Sequence, residues 1–214
     1  IFMQSRLFST PKDVTPSDQR RKIYDVCYVG GIYSREHEVA IDIISNYNYI
    51  FITQSSAKNA THRYLSNADK LQFVGRSKIG ICFNKLYPNE EHLKKIKTYR
   101  DWQSNAAFSN LSDPIPICPQ MKTRVHEMAL LRTLILCHRD PWNIIEDFYE
   151  PGKDFIYFER IQDLNQLIPE ILADWDTYQS ILDNAYKKVS NYFTANLVKM
   201  VQAGEAFRTH RFEG

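Results

Sequence analysis

The chain has 214 residues, of which 43% are hydrophobic and 24% charged, and its formal net charge is +2. With 13 Tyr, 12 Phe and 3 Trp, it is too aromatic and too close to neutral for a disordered segment. It contains no apolar run of the roughly 18 to 20 residues that a membrane helix needs. Its basic runs are short and balanced by nearby acids, which argues against nucleic acid as a partner. This composition is typical of one water-soluble globular domain or two small ones.

The cysteines and histidines form no metal-binding pattern. Four cysteines lie far apart without a CxxC pair, three of them inside apolar runs, and six histidines form no HxH or HExxH motif. We therefore expect buried free thiols in a reducing compartment, a cytoplasmic location and no metal site. Because the first residue is Ile1 rather than methionine, we also expect that the chain is a piece of a longer protein.

The first half of the chain alternates between predicted strands and helices. Residues 1–21 are polar and contain Pro11 and Pro16, which predicts a linker. The run YDVCYV then predicts a strand that ends at Gly30-Gly31, and residues 34–45 have helical spacing. Strands are predicted over residues 48–53 and 78–84, with a helix over 57–74 between them.

The second half continues the alternation. Strands are predicted over residues 133–138 and 154–159, and helices over 121–131, 162–172 and 177–201. Residues 86–119 show no clear pattern, and residues 204–214 predict a flexible tail. Short, nearly continuous apolar strands that alternate with helices indicate a parallel sheet covered on both faces. We therefore predict an α/β fold with a doubly wound, mostly parallel, Rossmann-like sheet over residues 22–203.

The first candidate site is the glycine turn after the first strand. Ligands of such sheets bind outside the carboxyl ends of the strands, where Gly30 and Gly31 would allow the backbone to approach a ligand. Arg35 follows closely and could reach an anion there. Both features also have a purely structural interpretation, as a tight turn and as a solvated residue in the first turn of a helix.

The second candidate site is the predicted helix over residues 121–131. Lys122 and Arg124 near its start suit phosphate groups by charge and by bidentate hydrogen bonding. Glu127, three residues after Arg124, would be an acceptor for a pair of sugar hydroxyls. The alternative is an intrahelical salt bridge between Arg124 and Glu127 on a solvated face.

The order of these motifs resembles the donor-binding half of GT-B glycosyltransferases, particularly the CgeB-like, group 1 type. The pattern in this sequence comprises Arg124 and Glu127 on a helix, the strand LILCH, Glu146, a turn with Gly152 and Asp154, the strand FIYF, and Asp163-Leu164. Upstream, YDVCYVGGIYSRE is similar to the family's first strand and turn, and SKIGICFN to a later strand. The resemblance covers residues 22–201 approximately and implies a single GT-B lobe.

The resemblance also implies roles for individual residues. Glu127 would bind the ribose of a nucleotide-sugar, Arg124 would neutralise the diphosphate with Lys78 or Arg35 as further candidates, and Gly30 and Gly31 would let the backbone approach. The sequence departs from the family pattern at two places. Pro119 stands where many retaining members have a second Glu, and Leu131-Arg132 replaces a small glycine turn. The first departure leaves the sugar contacts and the stereochemical outcome open.

These observations lead to two main hypotheses. The first is the transfer of a sugar from a nucleotide-sugar, the co-substrate, to a hydroxyl acceptor without a metal ion or another cofactor. A partner domain in the same polypeptide is expected, and no catalytic residue is assigned. The second is a nucleotide-sugar-binding lobe that performs no transfer by itself. An NAD-dependent dehydrogenase is a weaker third candidate, because no GxGxxG follows the first strand and no acidic residue ends the second.

One competing motif is the triplet Asp174-Trp175-Asp176, which matches the metal-binding DxD of GT-A glycosyltransferases. That motif follows a strand in GT-A enzymes, whereas here it interrupts a helical stretch. We therefore expect it to cap the last helix or to lie on the surface.

Overall fold

A computed structural model describes residues 21–86 and 118–192 of the chain. Eight strands are present in these ranges: β1 (Tyr24–Val29), β2 (Tyr49–Thr53), β3 (His62–Arg63), β4 (Ser77–Phe83), β5 (Lys85–Leu86), β6 (Cys118–Pro119), β7 (Leu134–His138) and β8 (Ile156–Phe158). The α-helices are α1 (Arg35–Ile44), α2 (Asn67–Gly75), α3 (Thr123–Leu130), α4 (Leu164–Ala173) and α5, which occupies 179–192. Short 3₁₀ helices cover Ile144–Asp147, Ile161–Asp163 and Trp175–Tyr178.

Six of the strands form one parallel sheet in the order β3-β2-β1-β4-β7-β8. The chain moves outward from β1 to β3, returns to pair β4 with the other side of β1, and then moves outward again to β8. The strand order therefore reverses between β1 and β4, as in doubly wound Rossmann-like folds, which confirms the predicted fold class. The two remaining short strands, β5 and β6, pair antiparallel next to the carboxyl end of β4.

Alternating strand residues fill two separate cores, one on each face of the sheet. Val26 and Tyr28 of β1 belong to the core beneath α1 and α4, whereas Cys27 between them belongs to the core beneath α2, α3 and α5. In β4, Ile81 and Cys82 divide in the same way. Because both faces are covered, the strands are apolar almost continuously, which is why they were visible in the sequence.

The contacts of Lys22 show at which edge of the sheet α2 and α3 end. Its ammonium group lies just before β1 and donates to the carbonyl oxygens of Gly75 (3.0 Å), Ser77 (2.9 Å) and Leu131 (3.2 Å). Gly75 ends α2 and Leu131 follows α3, so both helices end at the amino edge of the sheet. Both therefore begin at the carboxyl edge, where ligands of this fold bind.

The structure changes two predicted helices. The helix expected over residues 57–74 is only α2, because Asn59 and Tyr64 have positive φ angles of 64° and 55° and β3 lies between them. The Ser66 hydroxyl then accepts the backbone N–H of Asp69 (3.1 Å) and caps α2. The helix expected over 177–201 begins with a 3₁₀ turn, and its part beyond residue 192 lies outside the described residues. So do the predicted tail (204–214) and all but the last residue of the predicted linker (1–21).

The DxD-like triplet lies at the end of α4. Asp174 follows the last residue of α4, its carbonyl oxygen accepts the Thr177 N–H (3.1 Å), and the Asp174 and Asp176 side chains are exposed. Since α4 follows a parallel strand and runs back across the sheet, its end lies at the amino edge, away from the candidate site. The triplet thus occupies a surface connection between two helices.

Candidate functional site

The glycine turn lies at the carboxyl end of β1, beside the point where the strand order reverses. Its shape is held from below, because the buried Tyr28 hydroxyl donates to the Gly31 carbonyl at 2.9 Å. Gly30 has a φ of +150°, a conformation essentially reserved for glycine. The ring of Tyr33 packs on Gly31 and remains 63% exposed. The turn is therefore held by Tyr28 from below, and its two glycines are half-buried.

Arg124 joins this turn to α3. It belongs to the first turn of that helix, and its guanidinium group donates to the carbonyl oxygen of Val29, the last residue of β1. The guanidinium group also lies where a side chain on Gly30 would be, so that any Cβ there would collide with it. The glycine turn and Arg124 thus form one unit, with the remaining guanidinium donors half-buried at the carboxyl edge.

A Gly30→Ala variant tests the fit between the turn and Arg124. We expect a loss of about 3 kcal/mol in the free energy of unfolding, because backbone strain of about 1–3 kcal/mol adds to the loss of the hydrogen bond from Arg124 to Val29 when the guanidinium group moves aside. Gly152→Ala is the matched control, since Gly152 also has a positive φ (75°) but nothing lies within 4 Å of a Cβ there. It should cost only about 1–2 kcal/mol. Equal losses in urea-unfolding experiments would contradict the close approach of Arg124 to Gly30.

Lys122 places a second cation beside Arg124. Its backbone forms the start of α3, and its side-chain nitrogen contacts the Gln120 amide oxygen. Burial, and then the nearby positive charge of Arg124, lower the pKa of Lys122 to about 8. Two neighbouring cations at the positive end of a helix form a suitable environment for an anion.

Asn84 anchors the start of α3. It was not among the residues predicted from the sequence. It follows β4, is fully buried, and its side-chain oxygen accepts the backbone N–H of Lys122 at 3.1 Å. Its amide nitrogen donates to the sulfur of Cys137 at 3.4 Å. A polar residue at the end of an otherwise apolar strand was the signal that could have identified it. Asn84 thereby holds the two cations near the glycine turn.

Glu127 does not pair with Arg124. Its carboxylate instead accepts from the ammonium group of Lys70 in α2, at 2.7 Å, and the two side chains are only 17% and 20% exposed. The intrahelical salt bridge considered from the sequence is therefore absent from the described structure, and an ion pair between two helices takes its place. Glu127 lies one turn further along α3 than Arg124, on the side that faces α2.

The remaining predicted residues are divided between the two edges of the sheet. Arg35 begins α1 at the carboxyl edge, but its guanidinium group is largely exposed and pairs with Glu38 at 2.7 Å. Lys78 is the second residue of β4 and lies 3.9 Å from Asp25, at the amino edge. The structure therefore brings Gly30, Gly31, Lys122 and Arg124 together, leaves Arg35 nearby in an ion pair, and places Lys78 at the opposite edge.

The three buried histidines surround this region as neutral groups. Burial lowers the pKa of His37, His126 and His138 to about 4. His126 contacts the Tyr149 hydroxyl at 2.8 Å, and His37 contacts the Ser34 hydroxyl at 2.8 Å. At neutral pH these imidazoles act as polar packing groups, and the positive charge of the site comes from Lys122 and Arg124. Among residues 21–86 and 118–192, no three His, Cys, Asp or Glu side chains are grouped as metal ligands.

The sequence matches a known protein family over most of its length. The sequence profile of the family described as "Glycosyl transferase-like" matches residues 32–198, which include α1, the sheet from β2 to β8, and Lys122, Arg124 and Glu127. The chain belongs to the glycosyl transferase-like family. The resemblance noted in the sequence is thereby confirmed at the level of the family. No curated protein matches the sequence.

Several solved structures have a similar fold. TarM has a TM-score of 0.53 at 9% identity, over 88% of this chain and 36% of its own. The DNA-modifying enzyme β-glucosyltransferase, studied with and without its substrate uridine diphosphoglucose, has a TM-score of 0.54 at 12% identity, over 92% and 54%. The pneumococcal O-GlcNAc transferase GtfA, in complex with UDP and GlcNAc, has a TM-score of 0.50 at 9% identity, over 89% and 37%. This glycosyl transferase-like chain thus spans about a third to a half of those proteins.

Within the described ranges, the glycosyl transferase-like chain has no helix that is both long and apolar enough to cross a membrane.

Proposed function

We propose that this chain is the nucleotide-sugar-binding lobe of a GT-B glycosyltransferase. The observation that carries the proposal is the unit formed by Arg124, Lys122 and the Gly30 turn at the reversal point of the sheet. There, two cations, a helix start and a half-buried glycine turn converge on one spot. A diphosphate fits this combination because it carries two negative charges or more and many acceptor oxygens.

The reaction that this site would support is the departure of a nucleoside diphosphate from a sugar. Negative charge develops on the diphosphate as its bond to the sugar breaks, and Arg124 and Lys122 would stabilise that charge without a metal ion. Fixed donors are effective there because Asn84 and the Val29 carbonyl already hold α3 and Arg124 in place. The hydroxyl acceptor and any catalytic base would come from a partner domain of the same polypeptide. We also propose that residues 22–203 form this lobe and that it acts in the cytoplasm.

The experiment that tests the proposal is a thermal-shift screen of the 214-residue chain against UDP, GDP, dTDP and their sugars. A nucleotide at about 100 times its dissociation constant stabilises the folded state by about 2.7 kcal/mol. That gain corresponds to a rise of about 5–10 °C in the melting temperature of a chain of this size. If no nucleotide in the screen raises the melting temperature, the proposal is wrong.

The second candidate function, binding without transfer, is favoured by the short span of this chain relative to similar solved structures. A donor-hydrolysis assay separates the two candidates, using the chain that has first been shown to bind a nucleotide. Turnover by the isolated chain would exclude the purely binding role. Turnover that requires a longer polypeptide would assign the missing groups to the partner domain.

The pH dependence of nucleotide binding tests the role of Lys122. Its pKa is lowered to about 8, so Lys122 is charged at neutral pH and loses its charge as the pH rises through that value. Binding of an anion favours the charged form, so we expect the affinity for a nucleoside diphosphate to fall up to about tenfold per pH unit above pH 8. Calorimetric titrations between about pH 7 and pH 9.5 measure this slope.

Lys122→Ala provides the control for that experiment. The variant should bind more weakly at neutral pH and show a flat profile over the same range, because the titrating group has been removed. A variant that keeps the wild-type slope would show that another group causes the pH dependence.

A further inference from the structure

A cavity of about 610 Å³ lies at the carboxyl edge of the sheet, on the side of α1. It is bounded by the first turn of α1 and by the residues that follow β4, β7 and β8 at the carboxyl edge. This volume falls in the range of roughly 300–1,000 Å³ that small-molecule sites occupy. The side chains relevant to its chemistry are Glu36, Lys85, His138, Arg139, Asp140 and Arg160.

Two side chains in the cavity wall have polar atoms without a hydrogen-bond partner in the described structure. His138 is 6% exposed and its Nδ1 is unpaired, and Asp140 is 2% exposed and its Oδ2 is unpaired. The other oxygen of Asp140 accepts the Trp142 N–H at 2.9 Å, which fixes the carboxyl group. An unpaired buried polar atom costs about 1–3 kcal/mol, so a ligand that supplies the missing bonds gains that energy.

The charges of the residues that line the cavity indicate which class of ligand it can bind. The cations in the wall are all paired with carboxylates, so none is an open anion site: Lys85 with Glu36 at 3.3 Å, Arg139 with Glu159 at 2.6 Å, Arg160 with Asp163 at 2.9 Å and Arg35 with Glu38 at 2.7 Å. Burial lowers the pKa of His138 to about 4, which leaves a neutral imidazole at physiological pH. Asp140 offers a carboxyl oxygen that repels phosphate. A neutral imidazole and a carboxyl oxygen together suit hydroxyl groups, which can donate to both.

The position of the cavity relates it to the proposed diphosphate site. β1, β4 and β7 are neighbours in the sheet, so the ends of β1 and β7 are two strand spacings apart, or about 10 Å. A sugar ring joined to a diphosphate at the Gly30 turn can span that distance. Glu127 lies on the other face of the sheet, towards α2, so the nucleoside and the sugar would extend from the diphosphate in opposite directions.

We propose that this cavity holds the sugar ring of the nucleotide-sugar, with sugar hydroxyls bonded to Asp140 and His138. The inference rests on the proposed function, because it takes the diphosphate to lie at the Gly30 turn. It adds two residues that the family pattern did not assign, and it supplies partners for His138 Nδ1 and Asp140 Oδ2.

Saturation-transfer NMR and calorimetry on the 214-residue chain test the inference. The probes are UDP, UDP-glucose, UDP-N-acetylglucosamine, GDP and GDP-mannose, together with free glucose and N-acetylglucosamine. We expect at least one nucleotide-sugar to bind about tenfold more tightly than its nucleoside diphosphate, with saturation reaching the sugar protons. Asp140→Asn and His138→Phe should remove this gain and leave the affinity for the nucleoside diphosphate unchanged. Phenylalanine fits at position 138 because the imidazole already packs on Phe83 and Phe158.

Glu170→Gln is the matched control, since it makes the same carboxylate-to-amide change on an exposed site of α4. It should bind every probe as the wild type does.

If the wild-type chain binds a nucleoside diphosphate but no sugar proton is saturated, or if both cavity variants keep the gain, the inference is wrong and the proposed function stands. If a free sugar alone is saturated in an Asp140-dependent way, the cavity belongs to a sugar other than the donor's. If no nucleotide binds at all, the proposed function fails and the inference fails with it.

Discussion

Replacing Arg124 by alanine is expected to weaken the binding of a nucleoside diphosphate about 100-fold. The guanidinium group is held by the Val29 carbonyl and keeps further donors for the ligand. Two hydrogen bonds to a charged group, at about 1.5 kcal/mol or slightly less each, account for a factor of this size. Calorimetry with the nucleotide selected by thermal shift measures the change. The melting temperature without ligand should fall by only a few degrees, because one half-buried hydrogen bond is lost.

Two further variants show whether charge or geometry carries the effect. Arg124→Lys keeps the positive charge but loses the planar fork, so its affinity should be intermediate. Lys78→Ala removes a cation that the family pattern suggested but that lies at the amino edge, 3.9 Å from Asp25. It should leave nucleotide affinity unchanged. A similar loss in Lys78→Ala and Arg124→Ala would point to a general electrostatic effect of the whole chain rather than to a defined site.

The contrast between Arg124 and Lys78 shows what the sequence could predict about the site. Arg124 was predicted near a helix start, and because that helix precedes a parallel strand it begins at the carboxyl edge. Lys78 lies at the start of β4 and therefore at the amino edge, away from the ligand side. Strand direction thus separates the two residues, whereas the family pattern suggested both as diphosphate contacts.

Other parts of the site depend on contacts between distant residues and could not be predicted. The pairing of Glu127 with Lys70 requires α2 and α3 to be neighbours, which periodicity alone does not show. The bond from Asn84 to the start of α3 spans 38 positions in the chain, of which residues 87–117 lie outside the described structure. Pattern identifies elements and their order, whereas these partners are set by how the elements pack.

The turn after α3 shows how a departure from the family pattern is accommodated. Arg132 stands near the position where the family has a small glycine and adopts a positive φ of 50°, in the left-handed region. This conformation costs a non-glycine residue about 1–2 kcal/mol. The Arg132 side chain offsets part of that cost, because it contacts the Asp183 carboxylate and lies 4.6 Å from the centre of the Tyr186 ring. The fold therefore keeps the glycine-like backbone while the side chain ties the turn to α5.

Replacing Glu127 by alanine is expected to lower nucleotide affinity about 30- to 100-fold if the carboxylate binds the two ribose hydroxyls, since each charge-assisted bond contributes about 1.5 kcal/mol or slightly less. The same change should also lower the melting temperature by a few degrees, because it leaves the Lys70 ammonium group partly buried without its partner. The variant is therefore expected to affect both binding and stability.

Lys70→Ala separates these two effects of Glu127. It breaks the same ion pair, at 2.7 Å, and should lower the melting temperature to a similar or smaller extent. Its nucleotide affinity should fall by less than about threefold, because the Glu127 carboxylate that would bind the ribose is still present. Calorimetry with a nucleoside diphosphate and with its 2′-deoxyribose analogue completes the test, since Glu127→Ala should bind both equally while Lys70→Ala still prefers the ribose form. Equal losses of affinity in the two variants, with the ribose preference intact in both, would assign Glu127 to the packing of α2 against α3 rather than to the ligand.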